Sequence, residues 1–509
     1  MLSHKIKTII DELSQSLVER EDSLKLLLLA ALSGEHILLL GPPGTAKSEL
    51  AKRIRLAFGD APYFERLLTR FSVPEELFGP LSIKALENDQ YTRLTKNYLP
   101  EASIAFIDEI FKANSAILNT LLTLLNEREF DNGDRRIKTP LITVVAASNE
   151  LPDGEELEAL YDRFLFRSHV NPVTEAGFEL LLDINDSDKP QVSEKLSSND
   201  LKEVSKNYSS IKLDKDVSFM LKSLRNYLQQ RDVYISDRRW RKAVKMLKVS
   251  ALTNNRDAVS IWDCWLLQHC LWNTPEQQSL VFNWYTQHIG TNETIDIERI
   301  NKLVKVWEQT LESEKSRTVP LYNERGEKLY CTPQGETTTE SGQEYLVNRD
   351  GSALYLAPSD INNQTDRTNN NNGYTRQELE QNFFDDYYQQ RHIDGKWVTI
   401  ENYIADPENR FKKRFQYDLC QEAAKYSKEH INDRCNELNT LLNNINAYKD
   451  QLNNMLSSMA NVLDEHIWVD TKFTKTAQQV LQDNLKTINT VTDNIRKIHD
   501  EFKSLPIAN

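Results

Sequence analysis

The run His36-Ile-Leu-Leu-Leu-Gly41-Pro42-Pro43-Gly44-Thr45-Ala46-Lys47-Ser48-Glu49 constrains the fold more than any other stretch of this chain. A short apolar segment breaks at glycine and proline and restarts with helix-favouring residues, so it reads as a buried strand, a loop and a helix N-terminus. The spacing is that of a phosphate loop, glycine, four residues, then Gly-Lys-Ser/Thr. In such a loop, backbone N–H groups cradle phosphates, the lysine reaches the β and γ oxygens, and the hydroxyl holds Mg²⁺. Gly41 through Glu49 would therefore line the phosphates, with Lys47 and Ser48 in the ammonium and metal positions. Ala46 replaces the second consensus glycine. With the backbone expected near helical geometry at that point, one added methyl should be tolerated.

Ala102-Ser-Ile-Ala-Phe-Ile-Asp108-Glu109 is a second apolar run, and it ends in two carboxylates, as a parallel strand does when its C-terminal edge opens on a phosphate site. Asp108 suits the water shell of Mg²⁺, and Glu109 suits the polarisation of an attacking water, because phosphoryl transfer needs positioning and charge neutralisation more than covalent chemistry. Leu141-Ile-Thr-Val-Val-Ala-Ala-Ser148-Asn149 is a third such run. Asn149 is placed to contact the γ-phosphate or the water, although an asparagine after a strand is also an ordinary turn former. In Leu160-Tyr-Asp162-Arg163-Phe164, Arg163 is a candidate to reach a neighbouring subunit's nucleotide as an arginine finger. Asp-Arg is otherwise a common surface dipeptide.

These landmarks, followed by Ile235-Ser236-Asp237-Arg238-Arg239-Trp240, resemble the AAA+ ATPases and, within them, the MoxR family. Gly-Pro-Pro-Gly-Thr-Ala-Lys-Ser, Phe106-Ile-Asp-Glu109, Ser148-Asn149-Glu150, Asp162-Arg163-Phe164 and Ser236-Asp-Arg238 are similar to that family's Walker A, Walker B, sensor 1, arginine finger and sensor 2. Residues 1–274 are also similar to the RavA-type regulatory ATPases, through Thr69-Arg-Phe-Ser72, Pro74-Glu-Glu-Leu-Phe-Gly-Pro-Leu-Ser82 and Ala146-Ala-Ser-Asn-Glu-Leu-Pro152. Asp237 departs from the proline usual in the sensor 2 triplet and a second arginine follows, so Arg238 is the sensor 2 candidate and Arg239 the fallback. The resemblance implies ATP and Mg²⁺ as cofactors, with Glu109, Asn149, Arg163 and Arg238 serving hydrolysis. It further implies a homo-oligomeric, hexameric ring that remodels protein clients, partners bearing a von Willebrand A domain, and, for the RavA type, an amino-acid decarboxylase. A nucleotide-gated adaptor with slow or incidental hydrolysis is the rival function. Intact Glu109 and Arg163 favour the enzyme.

The formal charge of −14 argues against a broad nucleic-acid footprint. No basic segment followed by an apolar core and a small-residue cleavage site opens the chain, and the apolar run Ser23 to Leu32 is short enough to be a core helix, so no membrane span and a cytoplasmic location are expected. The five cysteines, Cys264, Cys270, Cys331, Cys420 and Cys435, are odd in number and show no Cys-x-x-Cys spacing, which suits a reducing compartment. Cys264, His269 and Cys270 point in different directions at helical spacing and are read as structural.

The expected fold class is α/β plus all-α plus small β: an AAA+ P-loop parallel-sheet core, a helical lid, a coiled-coil-like helical stalk and a small β domain inserted into it. Residues 1–186 should form the nucleotide-binding core, with strands near Ile37, Phe64, Ile104 and Val144 and helices near Leu50, Leu118 and Phe178. Two segments interrupt that alternation, Phe71 to Tyr98 with a strand candidate at Tyr91 to Leu94, and Phe130 to Ile137 with the Asn132-Gly133 hairpin signal. By resemblance such insertions face a ring's pore, whereas by default they are surface turns. Residues 187–274 form the lid, opened by a Ser/Asp-rich linker at 187–200 and closing Arg238 over the nucleotide. Trp262, Trp265, His269 and Trp272 share one helix face there and read as core.

Thr274-Pro275 starts a new helix. The stalk is assigned to 275–317 and 405–509, the latter from the three- and four-residue steps of Leu438, Leu441, Ile445, Tyr448, Leu452, Met455, Met459 and Val462 and a similar seam from Leu481 to Phe502. Between them, 318–404 is a partner-binding β domain with strands at Leu329, Tyr345, Leu354 and Trp397 and a mobile Asn-rich loop at 362–373.

Overall fold

The computed structural model describes residues 2–59, 61–184, 190–290, 297–359 and 366–508. Helices α1 (Leu2–Ser14) and α2 (Glu21–Ser33) lead into β1 (His36–Leu40), α3 (Lys47–Ala57) and β2 (Tyr63–Leu67). The short α4 (Pro74–Phe78) and α5 (Ile83–Leu86) precede β3 (Ile104–Asp108) and α6 (Ser115–Glu127). The hairpin β4 (Glu129–Asn132) and β5 (Arg135–Lys138), then β6 (Thr143–Ser148), α7 (Glu155–Tyr161), β7 (Phe164–His169) and α8 (Glu175–Leu182), complete the α/β core.

Five strands make one parallel sheet in the order β2-β3-β6-β1-β7. Strand β1, held between β6 and β7, is buried throughout, as its unbroken apolar run requires of a strand covered on both faces. Leu38, Leu40, Ile107 and Val144 pack on Ile117, Leu118 and Leu121 of α6 in a single core. Strand β7 is absent from the expected set. It carries Arg167 and His169, and Arg167 is 1% exposed, so its polar residues hide a buried strand. The Asn132-Gly133 hairpin is present. Tyr91 to Leu94 is not a strand; it makes one bridge, Leu81 to Arg93, and is held through Asn132, whose Oδ1 accepts from the Arg93 N–H at 2.6 Å.

Beyond the core come α9 (Ser198–Asn207), α10 (Lys215–Gln229), α11 (Asp237–Thr253) and α12 (Pro275–Gln287). The linker expected at 187–200 lies partly outside the described residues, and its end already belongs to α9, which Ser197 and Asp200 open with a reciprocal cap. Trp262 and Trp265 lie in a 3₁₀ segment, Ile261–His269, rather than an α-helix, and Trp272 lies beyond it; all three are buried. In a 3₁₀ turn residues three apart eclipse, so the first two still share a face.

The chain divides into two compact units, 1–303 with 440–494, and 304–439 with 495–509. The expected boundaries near 317 and 405 do not coincide with this division, because the helices Ile297–Ser316, Lys428–Asp464 and Lys472–Lys503 each contribute to both units. The last two are the long helices read from the sequence, with Leu438, Ile445, Leu452, Leu481, Ile488 and Phe502 buried. The strand-rich block runs on to Ala423, so 405–427 is not stalk: Lys412–Phe415 pairs with Gly342–Tyr345, Asp418–Leu419 with Tyr330–Cys331, and Gln421–Ala423 with Thr318–Pro320. Those returning strands are largely charged and solvent-facing, which is why they carry no apolar alternation.

Residues 362–365 of the Asn-rich loop lie outside the described residues. At 366–373 the Asp366 carboxylate accepts the Thr368 and Asn370 N–H groups and ties the turn. Cys331 and Cys420, 89 residues apart, are joined in a disulfide with Cα atoms 5.3 Å apart. This departs from the reading of cysteines suited to a reducing compartment, since strand pairing creates the proximity and local spacing cannot reveal it. Cys264, Cys270 and Cys435 are free and buried. Among the described residues no helix is long and apolar enough to cross a membrane.

Candidate active site

Strands β1, β3 and β6 end side by side, Leu40 beside Ser148 and Ile107 beside Ala146, so the residues that follow them emerge at one edge of the sheet. The chain leaves β1 at Gly41, where a Cβ would fall 2.2 Å from the Val170 carbonyl oxygen; only glycine fits that crossing. The loop then turns into α3. Ala46 has φ 67°, ψ 23°, in the left-handed region, and not the helical geometry expected of it. The consensus prefers glycine here for this reason, and the alanine carries strain.

Lys47 is 7% exposed, and its Nζ donates to Gly41 O at 2.6 Å, Pro42 O at 2.9 Å and Asn149 Oδ1 at 2.9 Å. Burial pulls its pKa down, against the opposing charges of Asp108 and Glu109. The Asn149 amide nitrogen donates in turn to Glu109 Oε1 at 2.6 Å. Lysine, asparagine and glutamate are thereby linked in one chain across the strand ends. Burial, with the Asp108 charge next, holds the Glu109 carboxyl above the usual glutamate range. Asp108 accepts the Glu109 N–H at 3.0 Å, and Glu109 itself sits at φ 53°. Ser48 stands in the first turn of α3. Ser48 and Asp108 offer a hydroxyl and a carboxylate, the hard oxygen donors that Mg²⁺ takes. Glu49 pairs with Arg53 at 2.9 Å.

A cavity of about 590 Å³ adjoins the loop, walled by Leu17, Val18, Pro172, Val173, Leu181 and Ile184, with Pro43 to Ala46 and Glu49 on its floor. Apolar walls beside a phosphate cradle suit a nucleoside. Arg20, which the sequence reading passed over, fastens this cavity: Nε donates to Thr45 O at 3.1 Å and an Nη to Asn171 O at 2.7 Å. No motif surrounds Arg20, and only its burial marks it.

Arg163 and Arg238 are not part of this cluster. Arg163 directly precedes β7, whose first residue pairs with His36, the first residue of β1. Helix α6 runs back from the end of β3 to the same edge, where His36 Nε2 lies 3.1 Å from Leu125 O, and there Arg238 donates to Asn126 Oδ1 at 2.7 Å. Both arginines therefore lie at the amino edge of the sheet, a strand length, roughly 15 Å, from their own phosphate loop. Burial, and then the charge of Arg238, lower the Arg163 pKa. Closure of Arg238 over its own nucleotide, expected from the sequence, is not what this geometry provides. The fallback Arg239 is 2% exposed and donates to Phe164 O and Leu165 O at 3.0 and 2.8 Å and to Cys270 O, so it ties the lid to β7.

Residues 4–206 match the family model described as the MoxR domain in the MoxR-vWA-beta-propeller ternary systems, and residues 216–285 match the AAA lid domain. An uncharacterized protein of Methanocaldococcus jannaschii is 41% identical over 274 residues, covering 53% of this chain and 71% of its own length. Chaperone MoxR1 of Mycobacterium tuberculosis is 28% identical over 204 residues, 39% of this chain and 52% of its own. A crystal structure from Cytophaga hutchinsonii, of a protein provisionally assigned as an ATPase, aligns with TM-score 0.45 and 22% identity, over 55% of this chain and 90% of its own.

Proposed function

We propose that this chain, which belongs to the MoxR family of AAA+ ATPases, hydrolyses ATP at a site shared between two copies of itself and uses the cycle to remodel protein clients. One observation carries the reading: Lys47, Asn149 and Glu109 form a connected chain at one edge of the sheet, while Arg163 and Arg238 stand at the other. An arginine that cannot reach its own phosphate loop can reach a neighbour's, and a ring supplies that neighbour at every site, a hexamer by family resemblance.

In this scheme the nucleoside occupies the cavity beside Leu17 and Val173, and the loop N–H groups and Lys47 take the phosphates. Ser48 and Asp108 would hold Mg²⁺, which supplies charge neutralisation at the phosphates when bound. Phosphate entry replaces the carbonyl and amide oxygens at the Lys47 ammonium, and Asn149, released from Lys47, is free to orient the γ-phosphate. Glu109 accepts a proton from the water that attacks the γ-phosphorus as the bond to the departing ADP oxygen breaks, and its raised pKa makes the carboxylate a stronger base than a solvated glutamate. Arg163 and Arg238 of the adjoining copy offset the charge that develops on the transferred group. Phe71 and Ile83, 91% and 74% exposed on the segment between β2 and β3, present apolar surface for a client. The matched family model is described for systems that include a von Willebrand A component, which makes such a protein the expected partner.

The test is Glu109→Gln beside Lys47→Ala. The first should keep ATP binding and lower turnover by roughly 10²- to 10⁴-fold, the loss typical of a missing general base; the second should abolish binding. Unimpaired hydrolysis by the Gln variant would refute the assignment of Glu109. Wild-type turnover too slow to distinguish from that of the Gln variant would favour the nucleotide-gated adaptor.

A further inference from the structure

The helices Lys428–Asp464 and Lys472–Lys503 are joined by a short turn, and that turn is fastened into the end of α11. Trp468 Nε1 donates to Thr253 Oγ1 at 2.8 Å, and the Ile467 N–H donates to Asn254 Oδ1 at 2.9 Å. Thr253 is the last residue of α11 and Asn254 its C-cap. His466, 6% exposed, accepts the N–H groups of Trp468 and Val469 at Nδ1, both at 3.2 Å. Two donors at Nδ1 leave the ring proton on Nε2, so His466 donates to Asp263 Oδ1 at 3.0 Å. Asp263 is wholly buried and also receives Arg256 through two bonds of 2.7 Å, Ser250 Oγ at 2.6 Å and the Ser260 N–H at 2.8 Å. Although burial alone would raise it, the His466 and Arg256 partners hold the Asp263 carboxyl well below the usual range, so the network stays charged and closed. Just past the turn, Phe473 packs against Trp265, Phe282 and Tyr285.

These contacts grip one end of a 17-residue helix whose other end presents Arg238. A helix of that length spans about 25 Å and moves as a rod, so a displacement at Thr253 is felt at Arg238. We propose that the turn 465–471 is a positioning element for hydrolysis: by holding the C-terminal end of α11 it sets where Arg238 is presented to the phosphate of the adjoining copy, and so makes turnover responsive to force on the helical hairpin. Trp468, Ile467 and His466 act through α11 and touch no substrate. The inference rests on the reading of Arg238 given above.

The experiment measures steady-state ATPase of the full chain carrying Trp468→Phe, Thr253→Val, both together, or Asn254→Ala, with assembly checked by sedimentation and Arg238→Ala in parallel. Trp468→Phe keeps an aromatic ring in place of the indole and removes its Nε1 donor, while Thr253→Val removes its acceptor at nearly constant shape. Each variant should lower kcat by about 2- to 30-fold, the range for perturbing a coupling network, with the KM for ATP nearly unchanged. The double variant should be no worse than the more impaired single one, because both delete the Trp468–Thr253 bond. Asn254→Ala, at a half-exposed cap, supplies the readout if the Trp468 pair impairs folding. Normal kcat in folded, assembled turn variants, with kcat collapsed in Arg238→Ala, overturns the proposal alone. Normal kcat in Arg238→Ala overturns the reading of Arg238 and the proposal with it. A raised KM at constant kcat also overturns it, since that outcome places the effect on nucleotide binding.

Discussion

Ala46→Gly should stabilise the nucleotide-binding core, against the usual rule that glycine weakens ordered backbone. Ala46 sits at φ 67°, ψ 23°, and the next residue begins α3. An L side chain in that region costs roughly 1–2 kcal/mol through the approach of Cβ to the following carbonyl. Glycine removes that cost but frees the unfolded chain, a loss of about 0.4–1 kcal/mol. The balance is a gain of about 0.5–1 kcal/mol, or roughly 1–4 °C in the melting temperature of a domain of 150–250 residues. Ala51→Gly provides the internal control, because the same atoms are deleted one turn into α3, where the backbone is right-handed; there glycine should cost about 1 kcal/mol or more. The assay is nucleotide-free thermal and urea unfolding, following the transition that ATP shifts upward, since that transition reports the unit holding the phosphate loop. Two alanine-to-glycine changes five residues apart should therefore move it in opposite directions. If Ala46→Gly destabilises as Ala51→Gly does, residue 46 is not left-handed, and the account of the loop's strain is wrong.

Arg163→Ala should leave ATP affinity intact and suppress turnover, and mixing it with Glu109→Gln protein should restore part of the activity at junctions that pair an intact Arg163 with an intact Glu109; an absence of rescue at every ratio would place the arginine in cis. Asp22, which burial and then Asp470 push up to about 6 from an ordinary 3.8, binds its proton more tightly folded than unfolded, so its stabilising contribution is complete below 3.8 and lost as pH rises through about 6. Asp22→Asn should accordingly raise the melting temperature at pH 7.5 far more than at pH 4, and an equal shift at both would refute the elevated pKa. Reducing the Cys331–Cys420 bridge, which spans 89 residues, should destabilise the strand-rich block by roughly 4–5 kcal/mol on the chain-entropy estimate, while leaving the ATP-shifted transition in place. Deleting residues 318–423 and joining the flanking helices should keep ATPase activity near that of the full chain while abolishing at least one partner interaction; loss of hydrolysis in folded, assembled protein would show the block to be coupled to the site.

The landmarks legible in the sequence are those whose chemistry is local. Asp108 ends a short apolar strand and Lys47, Glu109 and Asn149 come after one, and parallel pairing must bring such strand ends to one edge. Spacing names a position in a motif but not its φ, so the left-handed conformation of Ala46 at the start of α3 does not show in the sequence. Arg238 was expected on the wrong side, because a triplet does not reveal which end of the sheet its helix approaches. Strand β7 and the strands of 412–423 went unseen for a shared reason. Arg167 is buried by spending its guanidinium on Tyr161 O, Trp272 O and Asn273 Oδ1, and 412–415 faces solvent with charge, so neither shows a period-two apolar pattern. Arg20 and His466 carry no motif at all, because both act through partners distant in sequence.

The placement of Arg163 and Arg238 at one sheet edge and of Lys47 at the other changes what counts as the enzyme. If hydrolysis is shared between copies as proposed, each chain holds half of one reaction centre and half of another, and the chemically whole object is the seam between copies. A closed set of n copies has n seams, whereas an open row has n − 1, leaving one loop without arginines and one pair of arginines without a loop. Rate per chain should then grow steeply with concentration where assembly is incomplete and flatten once rings close. Dilution alone would act as an off switch, with every chain still folded and every side chain intact.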